Sequence, residues 1–146
     1  MDWIIGPFKN YATFSGRARR SEFWVFVILV TFLQIGARYF DGLRIGIAPV
    51  ALGMGIIELC TLIIFLVPTV AVGVRRLHDS GRSGLWLLLG YGPLAMANLP
   101  IADDGSLDFV LSGALIMGVG ALLIMMLLPG TSGQNQHGAD PRKRGV

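Results

Sequence analysis

Apolar residues in this chain fall in long uninterrupted runs rather than at the helical or alternating spacing of elements with one wet face. A helix needs about 20 mostly apolar residues to cross about 30 Å of hydrocarbon. Phe23–Ala37, FWVFVILVTFLQIGA, has no charge. Its flanking Glu22 and Arg38 can snorkel, and Tyr39 and Phe40 follow, which predicts a span over 22–40. Ile45–Val74 holds one charge, Glu58. Counting back from Val74 predicts a span over 55–74 with Glu58 about one turn inside its end. Ile45–Met54, with Gly46, Pro49 and Gly53, then becomes an interfacial or partly re-entrant approach. The third run predicts a span over 85–101, kinked at Pro93 and carrying Asn98 and Pro100. The fourth, Phe109–Leu128, has neither charge nor proline and predicts a span over 109–128.

Composition agrees with a lipid solvent. Of 146 residues, 53% are hydrophobic and only 14% are charged, against about 25% charged in soluble domains. A soluble domain of this size would lack the polar side chains to cover its surface. The length allows one domain, and the composition excludes a disordered tail, a collagen-like repeat and a disulfide scaffold. Cys60 is the single cysteine, placed in an apolar run where a small buried hydrophobe is expected. The first run has no clear small-residue cleavage site after it and reads as a retained signal-anchor.

The charges sort by side. Lys9, Arg17, Arg19 and Arg20 precede the first span, Arg75, Arg76 and Arg82 lie between the second and third, and Arg142, Lys143 and Arg144 follow the fourth. The opposite loops hold only Arg38 and Arg44, beside Asp41, Asp103, Asp104 and Asp108. This bias predicts an all-α polytopic membrane protein with four transmembrane helices and both termini cytoplasmic. A basic segment 1–21, a loop 75–84 and a tail 129–146 then share the cytoplasmic face. The net charge of +3 is thus a polarised distribution, and a nucleic-acid partner loses its support.

Three polar segments carry the candidate chemistry. In FSGRARRSEFW, Phe14–Trp24, Ser21 is placed to cap the first span and Glu22 to meet its positive end. In RRLHDSGRSG, Arg75–Gly84, Asp79-Ser80-Gly81 signals a turn and Ser83 a helix cap. Its arginines could hold a phosphate, most simply a lipid headgroup, or Asp79 could pair with an arginine of the loop or of the amino-terminal segment. In LPGTSGQNQHGADPRKR, Leu128–Arg144, Pro129-Gly130 ends the fourth span, and the remainder reads as a solvated tail whose last basic residues could touch anionic lipid. No cofactor is implied. His78 and Asp79 with the distant His137 are too few for a zinc site, and no nucleophile–base signature surrounds Ser80 or Ser83, so no catalytic residue is assigned. Glu58, near an interface, is expected to be water-accessible. Ala114/Gly118 and Thr69/Gly73 have the small-xxx-small spacing that allows close helix packing.

At these three segments the sequence resembles the YhaH-like family of small bacterial inner-membrane proteins, grouped under domain of unknown function 805. The resemblance rests on FSGRARRSEFW, on RRLHDSGRSGLW at Arg75–Trp86 and on PGTSGQNQHGADP at Pro129–Pro141, and covers nearly the whole chain. The family's tail usually has an aromatic residue before its glycine, where this chain has His137. The resemblance implies a multi-pass protein of the bacterial inner membrane and supplies no activity.

The leading expectation is a non-enzymatic bundle whose cytoplasmic face, Arg17, Arg19, Arg20, Arg75, Arg76, His78, Asp79 and Arg82, binds anionic lipid or a partner protein, with a homo-oligomer among the possible assemblies. An oligomeric transporter or channel for a small solute or ion is the alternative, motivated by Glu58, Asn98 and Pro93 at membrane depth. The topology has a direct test. A reporter active only outside the cytoplasm is expected to be active when fused after Gly105 and silent after Gly81 or Val146; the reverse pattern refutes this orientation.

Overall fold

The computed structural model of the chain describes residues 2–43, 54–97 and 106–141. Its elements are α1 (Asp2–Lys9), α2 (Arg20–Gly42), α3 (Ile56–Asp79), a 3-10 turn (Gly84–Leu87), α4 (Leu88–Ala97) and α5 (Ser106–Leu127). There is no strand among the described residues. Three helices, α2, α3 and α5, are long and apolar enough to cross a membrane. They correspond to the first, second and fourth expected spans. The stretch of the third holds the 3-10 turn and the ten-residue α4, which is not among those three and is helical straight through Pro93. Asn98 and Pro100 lie outside the described residues, as do 45–53 of the expected re-entrant approach, Arg44, Asp103, Asp104 and the basic cluster Arg142–Arg144.

The described chain divides into two units, Met1–Phe14 with Ser21–Val72, and Ser15–Arg20 with Gly73–Val146. In the first unit, α2 begins at Arg20, so Ser21 lies in its first turn rather than at the cap expected for it. Phe26 is buried between Phe8 of the amino-terminal helix, edge-on with ring centroids 5.5 Å apart, and Phe65 of α3 at 6.3 Å. Such edge and tilted contacts suit the ring quadrupole. Helix α3 continues through Pro68, which has no N–H and so leaves the carbonyl four residues back without its helical donor. That carbonyl is Ile64 O, and the Tyr11 hydroxyl donates to it. An unsatisfied carbonyl in hydrocarbon costs several kcal/mol, so a donor from a neighbouring segment is what permits the proline.

The other end of this unit is fixed by charge. The Asp41 carboxylate accepts from the Ile57 amide at 3.2 Å and the Glu58 amide at 2.7 Å, capping α3 from a different helix. It approaches so closely that a Cβ built on Gly55 would fall 2.2 Å from Asp41 Cγ. Glu58, expected to be open to water, instead keeps only 13% of its side chain exposed and pairs with Arg38 at 3.2 Å. Being in the first turn, it also faces the positive end of α3. Cys60 differs from expectation as well: it is exposed on the helix surface, where in a bilayer an apolar thiol needs no partner.

In the second unit, glycines bring backbones together. A Cβ on Gly118 of α5 would lie 1.8 Å from Leu89 O, so the two helices touch main chain to main chain there. Gly90 instead meets the Leu122 side chain, to which a Cβ would lie 2.7 Å, and Gly73 the Leu87 side chain at 3.3 Å. Gly118 and Gly73 thus use the close approach that their spacing suggested, whereas Ala114 is exposed. Ala18, Leu77, Leu87, Leu111, Leu122 and Met126 are the buried hydrophobic residues among the described residues of this unit.

Candidate functional site

The site lies wholly in the second unit and is built at the end of α3. Helix α3 extends past Val74 to Asp79, so Arg75, Arg76 and His78 are helical rather than in the loop expected to begin at 75. The helix then stops on a Schellman arrangement. Gly81 has φ +75°, its N–H donates to His78 O at 3.0 Å, and Arg82 N–H donates to Leu77 O at 2.9 Å. Asp79-Ser80-Gly81 is therefore the turn anticipated from its sequence. Ser83 caps the following 3-10 turn by accepting from the Leu85 amide at 3.3 Å.

That stop fixes the Asp79 carboxylate in the interior, 2% exposed. Its Oδ1 accepts from Arg17 Nε, and lies as near Arg17 Nη2, at 2.9 Å each. Its Oδ2 accepts from Arg76 Nη1 at 2.8 Å. The Asp79 main-chain carbonyl takes the Thr131 amide at 2.8 Å and the Thr131 hydroxyl at 3.1 Å. Gly130 packs so tightly on the carboxylate that a Cβ there would sit 1.9 Å from Oδ2. Of the two pairings open to Asp79, with the loop or with the amino-terminal segment, the structure has both.

The two arginines extend the junction. Arg76, fully buried, donates from Nε to Met126 O at 3.1 Å and from Nη2 to Leu128 O. These are carbonyls at the carboxyl end of α5, where a cation also meets the negative end of the helix dipole. Arg17 donates to the carbonyls of Thr131 and Gly133, with Gly138 O at 3.4 Å. Arg19 Nε donates to Pro141 O at 2.7 Å. The expected solvated tail is therefore folded as far as Pro141, because the arginine donors need acceptors and the tail's backbone provides them. It is shaped by reciprocal Asn135–Gly138 backbone bonds and by Asp140, which accepts from the Gly133 amide at 3.2 Å. The Asn135 side chain bonds His78 O at 3.0 Å.

His137 stacks on His78, ring centroids 3.8 Å apart and planes 1° from parallel, at the place where the family's pattern has an aromatic ring. His78 Nδ1 lies 3.3 Å from Gly16 O. His78 is one turn past Val74, outside the uncharged stretch that can span. Burial, and then the neighbouring His137, hold its pKa below the ordinary value, against a smaller opposite effect of the Gly16 carbonyl.

The eight candidate residues thus separate by burial. Arg17, Arg75, Arg76 and Asp79 are buried, so a ligand site made of all eight on an open face is not what the chain builds. Arg20 is exposed, and Arg19, His78 and Arg82 are intermediate. Ser80 Oγ donates to Leu77 O at 2.9 Å, and Ser83 Oγ is occupied as a cap. Among the described residues no cluster of three or more His, Cys, Asp or Glu side chains could hold a metal. The carbonyl acceptors on the tail were not visible in the sequence, since a carbonyl has no residue-type signature; the glycines at 130, 133 and 138 were the only hint.

Two outcomes follow from this geometry. Asp79→Asn removes the shared charge and leaves buried guanidinium groups uncompensated, an effect of about 3–5 kcal/mol. Hydrogen exchange at the Thr131 and Gly133 amides is expected to accelerate strongly, and unchanged protection contradicts the lock. For the histidine pair, the docked tail favours neutral His78. Its stability is complete above the unfolded histidine pKa of about 6.5 and is lost as pH falls from there through the lowered folded value. His137→Phe, which keeps a ring but takes no proton, is expected to show a weaker pH dependence of tail exchange at matched pH; an identical profile removes the pair from the account.

Comparison with known proteins agrees with the motif-bearing segments. The model of the DUF805 family, described as proteins of unknown function, matches residues 11–139. The chain is 34% identical over 148 residues to the inner membrane protein YhaH of Escherichia coli strain K12, covering 97% of this chain and 98% of that one. It is 31% identical over 144 residues to the inner membrane protein YhaI of the same strain, with 97% of each covered. YiiR of that strain, an uncharacterized protein, is 31% identical over 142 residues, covering 88% of this chain and 85% of its own. No solved structure matches the chain. With membrane-capable helices and near full-length similarity to inner membrane proteins, the chain is a multi-pass protein of the bacterial inner membrane and belongs to the DUF805 family.

Proposed function

We propose that this protein is a non-enzymatic four-span bundle with both termini in the cytoplasm, whose locked cytoplasmic cap engages anionic lipid headgroups. The observation that carries the reading is the partition of the arginines. Arg17 and Arg76 are used up inside the cap by Asp79 and by tail carbonyls, which makes the cap a preformed object. Arg20 stays exposed and Arg82 half-exposed on the same unit. A rigid support with a few outward guanidinium groups suits phosphate recognition, because little ordering accompanies binding. The span added to the three membrane-capable helices in this reading is the third expected one, which holds the 3-10 turn and α4, and the side is assigned by the positive-inside bias.

Near an anionic surface each Arg is worth about 1 kcal/mol, or about fivefold in affinity. Native mass spectrometry of the gently extracted protein is expected to show retained phosphatidylglycerol or cardiolipin. Arg20→Gln with Arg82→Gln is expected to reduce it by roughly 25-fold while tail hydrogen exchange stays at the level of the native protein. Undiminished retention by that variant, or capture of a protein partner in place of lipid, overturns the reading.

A further inference from the structure

The chain begins with the amino-terminal helix and the turn after it. They belong to the first unit, and their side-chain contacts there are with α2 and α3. Phe8 packs edge-on against Phe26, which is within the uncharged stretch Phe23–Ala37 of α2. Tyr11 reaches the carbonyl of Ile64, which is within the uncharged stretch Leu59–Val74 of α3. Both partners are residues of membrane-capable helices, not of the loops between them. Yet Phe8 remains 44% exposed, Tyr11 40% and Phe14 44%. Lys9 and Asn10, between the first two aromatics, are also exposed.

We infer that Asp2–Phe14 is an interfacial membrane anchor: a short helix and turn that lie in the boundary between headgroups and acyl chains, with Phe8, Tyr11 and Phe14 in contact with phospholipid. The segment was expected to be part of a basic cytoplasmic stretch, and the anchor places it at the membrane boundary of that side. A ring packed on the side of a spanning helix within its uncharged stretch has acyl chains as its surroundings on every side that protein does not cover. Aromatic rings and a tyrosine hydroxyl suit that boundary, since one end of each site is apolar and the other wet. Amphipathic segments of this kind sit about 5–10 Å into the boundary. Lys9 and Asn10 can reach water from there, lysine through its long stem. The anchor also explains how α3 keeps Pro68, because the donor for Ile64 O is held at membrane depth by the same segment.

The inference concerns neutral acyl-chain contact and is independent of the anionic-lipid reading, so the two are tested apart. The full chain with Trp3→Phe, Trp24→Phe and Trp86→Phe, carrying Phe8→Trp as the sole tryptophan, is reconstituted in phosphatidylcholine vesicles without anionic lipid. Its emission is expected to be blue-shifted, to fall in vesicles of acyl-brominated phosphatidylcholine and to resist aqueous iodide. Phe14→Trp in the same background gives an independent reading should the substitution at Phe8 disturb the Phe26 contact. Quenching by iodide and not by bromolipid places the segment in water and overturns the anchor. Quenching by neither means that protein, a second copy or a partner, covers the rings, and overturns it equally.

Discussion

The second unit depends on one buried carboxylate shared by two guanidinium groups. Placing Asp79 in the interior is costly unless its oxygens are fully used, and here each oxygen meets an arginine within 2.9 Å. Neither arginine is spent by this. Arg76 goes on to the carbonyls ending α5, and Arg17 goes on to the carbonyls of the tail. One charge therefore ties together the entry to α2, the exit of α3 and the exit of α5. The geometry tolerates little change: Gly130 is bounded by the carboxylate itself, and Gly81 by the left-handed backbone that turns the chain away.

This arrangement gives the basic residues a double role. Counted along the sequence, they obey the rule that orients membrane proteins. Seen in the structure, Arg17, Arg75 and Arg76 are interior residues of a folded cap. At Arg17 and Arg76 the charge that this rule counts and the donors that fasten the cap are the same atoms. A count of positive charge therefore overstates what is available to an external anion: among the described arginines of this unit, Arg20, Arg82 and in part Arg19 are left to meet one.

Much of this was legible in the sequence where a signal is local. Long apolar runs placed α2, α3 and α5 to within a few residues, and Asp79-Ser80-Gly81 and Ser83 marked a turn and a cap that the structure contains. What was not legible depends on partners distant in sequence. The amino-terminal helix is eight residues with Pro7 inside, too short and too irregular for a search built on 20-residue runs. Pro68 reads as a break unless Tyr11 is known to stand beside it. The tail reads as solvated because its side chains are small and polar, whereas its contribution is made by backbone carbonyls. Glu58 reads as an isolated charge until Arg38 is brought beside it. The resemblance at the three polar segments pointed to the right family and to the part of the chain that folds together, without saying why those residues recur.

The tail contacts of Arg17 also impose an order in time. Its carbonyl acceptors on Thr131, Gly133 and Gly138 lie 114, 116 and 121 residues further along the chain. None of them exists until the ribosome has passed the last apolar run, so the amino-terminal loop must wait, its guanidinium hydrated, through the insertion of every helix. Closing a loop of this length is slow compared with the formation of a helix. The cap can therefore assemble only after the last apolar run has been made and Thr131–Gly138 has reached Arg17. Its completion is thus a record within the molecule that the two most widely separated of its polar segments have been brought together.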